Sequence, residues 1–171
     1  MIELLKKIEQ EQLMDLLENS EVWKGLIVDY HKPTVYRCWT QVGENRLSLH
    51  IIDGCEEGES LYHPHPWPSA MRVVSGSGPY EMGVGFGPGL EPPPVACRLI
   101  LSPGDYYEML DINGWHYVRP LGTFSASLML SGKPWDREQI ESPSDSFATE
   151  LPEASKREIL RKFKEEWYNK K

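Results

Sequence analysis

Two histidines separated by a single residue stand in the middle of the chain, at His63 and His65. In an extended segment, side chains two residues apart point to the same face, so both imidazoles can aim at one point inside a sheet or barrel. A third histidine, His116, lies in a turn-rich stretch that leads into another apolar strand. Three neutral imidazoles suit a borderline divalent metal such as Fe, Zn, Ni or Cu. We therefore predict a metal held in the mouth of a small β-barrel.

The histidine pair alone fits a second interpretation equally well, two polar residues on a solvated face of a strand. Prolines at three alternate positions, Pro64, Pro66 and Pro68, argue against it. They remove backbone donors and restrict the chain, so the segment is expected at the edge or rim of a sheet. Preorganised ligands are expected on such a stiff rim, and the prolines thus favour the metal site.

Length and composition place further bounds on the protein. A chain of 171 residues fits a single domain, residues 1–171, with a core that needs no disulfides. The three cysteines are scattered and in no CxxC pattern, which indicates a reducing, cytoplasmic location. No signal peptide or membrane span is evident. A net charge of −8 argues against nucleic acid as a partner and leaves a small-molecule substrate.

The hydrophobic pattern divides the chain into three parts. Residues 1–30 are predicted as an N-terminal helical segment, because apolar residues recur at helical spacing up to about residue 18. From residue 34 to 131 the period changes to two, and short strands are separated by Gly and Pro turns, which indicates an all-β sandwich or barrel. Residues 132–171 are predicted as a loop and a C-terminal helix that begins near Pro152. Its apolar stripe is expected to pack on the barrel or on a second subunit.

The two remaining histidines are predicted to lie outside the metal site. His31 stands beside Pro33 in a segment that breaks any helix, and we expect it in a surface loop. His50 alternates with Leu49 and Ile51 in a predicted strand. We interpret it as a sheet residue with satisfied hydrogen bonds rather than as a ligand.

The chain resembles the cupins over about residues 34–130. The resemblance rests on two motifs that occur here in the same order as in that family. It implies a double-stranded β-helix, or jelly-roll barrel, flanked by N- and C-terminal α-helices. The family's first motif is a glycine followed by His-x-His and a further glycine, and its second is a Pro-x-Gly-like turn followed by histidine. The matching residues are Gly58, His63, His65 and Gly76 for the first motif, and Pro103, Gly104, Asp105 and His116 for the second.

The chain departs from the cupin pattern at Ser69, seven positions before Gly76, where many cupins carry a glutamate ligand. Without this carboxylate a bound metal keeps more positive charge and more open positions. The three-histidine set is similar to that of the thiol dioxygenases, which use Fe(II). The resemblance therefore implies Fe(II) as cofactor, with Zn, Ni or Mn as alternatives.

The likeness to the thiol dioxygenases extends to Arg37, which comes before the histidine pair as their carboxylate-binding arginine does. A guanidinium can form two parallel hydrogen bonds to a carboxylate. A surface ion pair is an equally good interpretation of Arg37. Those enzymes also carry a tyrosine near the metal from a late strand, and the matching residues 128–131 contain none. Tyr36, Tyr62 or Tyr106 could take its place.

Our leading hypothesis is a non-haem Fe(II) dioxygenase-like enzyme that acts on a small thiol- or carboxylate-bearing molecule. Arg37 and Tyr62 are the candidate catalytic residues, and Arg37 would also bind the substrate. Trp67 and Trp115 would line a water-excluding, substrate-binding pocket, with ordinary packing as their alternative role.

Two other functions remain open at the level of the sequence. One is a metal-dependent sugar or small-acid isomerase or lyase, in which Glu81 or Glu108 would act as the base. The other is a non-catalytic cupin that binds a small ligand, because the missing glutamate could mark lost metal chemistry. By analogy with other cupins, the chain is a possible homodimer.

Overall fold

The computed structural model describes residues 1–89, 91–136 and 148–168. The predicted loop at 137–147 and the end of the chain at 169–171 lie outside these residues. No described helix is both long and apolar enough to cross a membrane. The helices are α1 (Ile2–Glu11), α2 (Leu13–Glu18) and α3 (Glu153–Tyr168), with a short 3-10 turn at Ser20–Val22. The strands are β1 (Lys24–Val28), β2 (Val35–Val42), β3 (Asn45–Asp53), β4 (His63–Pro64), β5 (Ser69–Gly76), β6 (Tyr80–Phe86), β7 (Cys97–Leu101), β8 (Tyr106–Met109), β9 (Gly114–Pro120), β10 (Phe124–Ser131) and β11 (Thr149–Glu150).

The strands form two antiparallel sheets, as the period-two pattern predicted. A seven-stranded sheet has the order β11-β1-β2-β3-β10-β5-β8, and a four-stranded sheet has the order β4-β9-β6-β7. Strands that are distant in sequence lie side by side, such as β3 with β10 and β10 with β5. This arrangement, with helices at both ends of the chain, is a jelly-roll fold.

The N-terminal segment differs from its prediction. Residues 2–18 are helical with a break at Gln12, but Lys24–Val28 form a strand, so residues 1–30 are not helical throughout. The Asn19 side chain accepts a hydrogen bond from the backbone N–H of Glu21 just after α2 ends. The β-branched Ile27 and Val28 then favour an extended chain. Strand β1 pairs with β2 along its whole length, and this non-local pairing is not visible in the local pattern.

Alternation along β3 separates two apolar cores. Leu47 and Leu49 are fully buried in a core that the large sheet forms with the three helices. Ile52, on the opposite face, belongs to a second core between the two sheets. Ser48 and His50 share the face of Ile52, because residues two apart on a strand point the same way. The inner face of the large sheet is thus where a site inside the barrel is formed.

Helix α3 packs on the outer face of the large sheet, as its apolar stripe predicted. Phe163 and Trp167 are buried there. The Arg72 guanidinium, on β5, lies over the Trp167 ring at 4.9 Å from its centroid. Arg72 Nη1 also donates to a carboxylate oxygen of Glu9 on α1 at 2.9 Å, and the Tyr106 hydroxyl donates to the same oxygen. This buried cluster fixes both helices to one strand.

Candidate metal centre

The three predicted ligand histidines come together. His63 on β4 lies directly opposite His116 on β9, and both strands belong to the four-stranded sheet. Ring centroids are 4.8 Å apart for His63 and His116, 4.5 Å for His65 and His116, and 6.0 Å for His63 and His65. One potential ligand nitrogen from each ring lies within 4.8 Å of the others. We call these three residues the triad.

The prolines around the histidine pair have the expected effect. Strand β4 is only two residues long and lies at the edge of its sheet. Strand β4 ends at Pro64, and the chain enters the other sheet at Ser69, where β5 begins. The histidine pair therefore lies on the rim where the chain crosses between the sheets, and side chains from both sheets can reach it.

Neighbouring groups select the nitrogen that each ring offers to a metal. His63 Nδ1 lies 3.1 Å from the carbonyl oxygen of Leu61, so the proton resides on Nδ1 and the Nε2 lone pair remains for a metal. His65 Nδ1 lies 2.7 Å from Ser69 Oγ, and the same tautomer leaves its Nε2 as the ligand atom. Nδ1 of His116 is buried and has no hydrogen-bond partner among the described residues. A metal ion or a bound ligand would account for this unpartnered atom.

Burial keeps the triad neutral. The side chains of His65 and His116 are 5% and 2% exposed. Desolvation lowers the pKa of His63 to about 4 and that of His65 to about 3. It also places the pKa of His116 well below the usual value of 6.5. Neutral imidazoles have the lone pairs that metal coordination requires, so these donors fit a borderline divalent metal at neutral pH.

No carboxylate joins the triad within the part of the chain that the structure describes. Ser69, at the position where many cupins carry glutamate, is buried with its hydroxyl against His65. The serine thus holds a ligand ring instead of supplying a ligand of its own. The sequence located this departure from the cupin pattern, but it gave no sign of the hydrogen bond to His65.

Arg37 lies on the inner face of β2, opposite His50 of the neighbouring strand. Its Nε donates to His50 Nε2 on the neighbouring strand at 3.1 Å. Its positive charge is among the causes that lower the pKa of His63 and of His65, after desolvation. The prediction that His50 is a hydrogen-bonded sheet residue is confirmed, because it is 4% exposed and accepts from Arg37. The role of Arg37 in substrate binding stays a prediction.

Trp67 lies beside a histidine of the triad, and its role in substrate binding stays a prediction. It follows His65 by two residues, and the two ring centroids are 6.2 Å apart. Its indole Nε1 is buried and has no hydrogen-bond partner among the described residues. An indole N–H normally finds a partner when buried, so a ligand oxygen in the barrel is a suitable acceptor.

Trp115 and Tyr62 do not face the triad. Trp115 precedes His116 on β9, so its side chain points to the opposite, outer face of the four-stranded sheet. There its ring lies 5.6 Å from that of Tyr62, and its Nε1 donates to the carbonyl of Gly87. A side chain at Gly85 would collide with the Tyr62 hydroxyl, which places this tyrosine on the same outer face. The predicted roles of Trp115 in substrate binding and Tyr62 in catalysis do not fit these positions.

The two carboxylates considered as bases for an isomerase also lie elsewhere. Glu81 is on the outer face of β6, where its carboxylate accepts hydrogen bonds from Arg119 and Tyr117. The Arg119 guanidinium holds the pKa of Glu81 below its usual value. Glu108 forms an ion pair with the N-terminal amino group of Met1 at 3.1 Å. Both carboxylates are committed to other partners on surfaces that do not face the triad.

The other tyrosines considered for the dioxygenase role are no closer. Tyr36 packs with the core beneath the helices, on the outer face of the large sheet. The Tyr106 hydroxyl donates to Glu9 on the same side. Inside the barrel, the hydroxyls of Tyr80 and Tyr107 lie 3.1 Å from each other. None of the three predicted substitutes therefore reaches the metal centre.

No protein-family model matches the sequence, and no curated protein matches it. Among solved structures, the hydroxypropylphosphonic acid epoxidase from S. wedmorenis has a TM-score of 0.50 at 10% identity, over 66% of this chain and 56% of that one. HppE with Fe(II) and substrate has a TM-score of 0.50 at 7% identity, over 66% and 58%. KdgF from Halomonas sp. has a TM-score of 0.46 at 16% identity, over 63% and 87%. The chain spans little more than half the length of the epoxidase, and at these identities the likeness shows the fold alone.

Proposed function

We propose that this protein is a metal-dependent enzyme of the non-haem Fe(II) dioxygenase-like type, acting on a small carboxylate-bearing molecule. One observation supports the proposal above all others. Three imidazoles that desolvation keeps neutral converge with no carboxylate among the described residues, and a guanidinium lies on the inner face of the large sheet. A metal held by three neutral ligands keeps its full charge and open coordination positions. A bound Fe(II) would supply the redox chemistry that activates dioxygen.

The chain's own residues would bind and orient the substrate. Arg37 gives its Nε–H to His50, and this bond fixes the plane of the guanidinium, whose two terminal NH2 groups would face a substrate carboxylate. A carboxylate bound to Arg37 would be held at a defined position relative to the triad. Trp67 would cover His65 and exclude water, because its ring is next to that of the histidine.

The isomerase or lyase alternative loses its structural basis. It requires a base beside the metal, and Glu81 and Glu108 are both engaged elsewhere. The non-catalytic alternative uses the same triad and the same Arg37, and it differs only in the absence of turnover. An assay of turnover therefore separates it from the proposal.

The test is oxygen consumption by the iron-loaded protein. Metal-free protein is reloaded anaerobically with Fe(II), and oxygen uptake is recorded with a panel of small carboxylic acids and small thiols. We expect uptake that depends on iron and on at least one carboxylate-bearing compound. Iron binding with no uptake across the panel would favour the non-catalytic binding protein.

Two variants make the assay specific. Arg37→Met should raise the KM for the active acid at least tenfold, because a hydrogen-bonded charge pair with the carboxylate is lost. Glu81→Gln, on the outer face, should leave kcat and KM unchanged. An effect of Glu81→Gln as large as that of Arg37→Met would contradict the proposed position of the substrate.

A further inference from the structure

Three hydroxyl groups lie buried on the inner face of the large sheet without partners among the described residues. One belongs to Ser125, and the other two, on Ser48 and Ser127, lie nearer to Arg37. Ser48 on β3 and Ser127 on β10 are both 0% exposed. Neither hydroxyl oxygen has a hydrogen-bond partner among the described residues. Buried side-chain oxygens in folded proteins are nearly always paired, so each exception needs an explanation. These two hydroxyls contribute nothing to holding the strands together.

The two serines are next to the Arg37–His50 pair. Ser127 is directly opposite His50 on one side, and Arg37 is directly opposite His50 on the other. Ser48 precedes His50 by two residues on the same strand and faces the same way. Such neighbours lie about 5 to 7 Å apart on a sheet. We call these four residues the polar patch.

The polar patch and the triad share one interior. Ser69, on the same inner face of the large sheet, lies 2.7 Å from His65 Nδ1, so the triad contacts this face directly. Charge effects agree with the geometry, because the pKa of His50 is lowered by desolvation first and then by Arg37, with His65 among the further causes. A small molecule that extends from the triad to Arg37 would therefore lie over the polar patch.

From this juxtaposition of two unpartnered hydroxyls with Arg37, on the inner face that the triad contacts, we propose that the ligand is a small hydroxylated carboxylic acid. The proposal rests on the function proposed above and deepens it. The carboxylate binds Arg37, and the ligand's hydroxyl groups bind Ser48 and Ser127. A serine hydroxyl both donates and accepts, so it matches an alcohol group. A thiol is a weak donor and a weak acceptor, so these serines disfavour a thiol-bearing acid.

The test compares two acids that differ only in their hydroxyl groups, glycerate and propionate. Their dissociation constants are measured by titration calorimetry on the metal-free and the zinc-loaded protein. We expect wild type to bind glycerate about tenfold more tightly than propionate, because the hydroxyl groups of glycerate form hydrogen bonds with the two serines that propionate cannot form. The double variant Ser48→Ala and Ser127→Ala should bring the ratio close to one without changing the propionate affinity.

The thermal midpoint of the same variants separates a binding role from a structural one. Removing a hydroxyl that has no partner in the folded protein should leave Tm unchanged or raise it. Ser131→Ala is the matched control, a buried serine on β10 whose hydroxyl donates to the backbone carbonyl of Arg46. This variant should keep the wild-type ratio of the two affinities. A lowered Tm in the double variant would show that the hydroxyls are structural and would overturn the proposal.

Failure of this inference is distinct from failure of the metal centre. Equal affinities for the two acids, or no binding of either, would overturn the proposed ligand class even if zinc loads normally. A preference for glycerate in metal-free protein that takes up no metal would support the ligand class and overturn the proposed enzyme.

Discussion

Replacing Ser69 with alanine should lower the metal affinity of the protein about tenfold. The serine hydroxyl lies 2.7 Å from His65 Nδ1, and both residues are buried. Loss of such a partner to a ligand histidine costs roughly 10- to 100-fold in metal affinity. The backbone of Trp67 also forms a hydrogen bond with this ring, so the lower end of the range is expected. Tenfold corresponds to about 1.4 kcal/mol.

The assay is competition for Zn²⁺ against a chromogenic chelator of known affinity. Ser69→Thr keeps a hydroxyl at the same position and should retain most of the wild-type affinity. Ser131→Ala removes the buried serine that pairs with Ser69 across the strands, and it should have no effect. If Ser69→Ala binds zinc as tightly as wild type, the hydroxyl does not orient His65 and the reasoning is refuted.

Three further predictions concern other parts of the molecule. His50→Leu removes the acceptor of the Arg37 Nε hydrogen bond, and it should weaken propionate binding about tenfold in calorimetry while the metal content stays unchanged. Arg72→Met leaves the buried Glu9 carboxylate without its cation, so the free energy of unfolding in urea should fall by about 3 kcal/mol, and equal stability would show that the ion pair does not anchor α1. The pKa of His65 is about 3 in the folded protein, against a usual value of 6.5. As the pH falls below 6.5, the His65 imidazole is therefore protonated in the unfolded chain before it is protonated in the folded protein. The metal-free protein should lose about 1.4 kcal/mol of stability per pH unit from this ring below pH 6.5 and nothing above it, and His65→Asn should lack that component in urea unfolding.

Much of the barrel could be predicted from the sequence because its signals are local. Alternation from residue 34 to 131 predicted a series of short strands, and strands β2 to β10 lie in this range. The prolines beside His63 and His65 place that strand at an edge, as observed. Ile159, Phe163 and Trp167 mark the buried face of the last helix. Each of these inferences needs only side-chain spacing or the missing N–H of proline.

The same alternation explains why two of the predicted site residues face away from the triad. Trp115 and Tyr62 each stand one residue from a ligand histidine, so strand geometry alone places them on the other face. Other features depend on strand pairing that no local pattern contains. The contact between Arg37 and His50 requires β2 to lie beside β3 in one particular register. Likewise, the position of Ser127 opposite His50 depends on β10 crossing to the middle of the large sheet.

The metal centre itself is tested most directly by counting metal ions per chain. Wild type, His116→Ala and His31→Ala are stripped, reloaded with Fe(II) or Zn²⁺, desalted and measured by elemental analysis. His31 is the matched control, because its ring lies outside the triad and contacts the carbonyl of Lys32. We predict about one metal per chain for wild type and His31→Ala, and none for His116→Ala. Equal metal content in His116→Ala and wild type, or no metal in any of the three, would contradict the account.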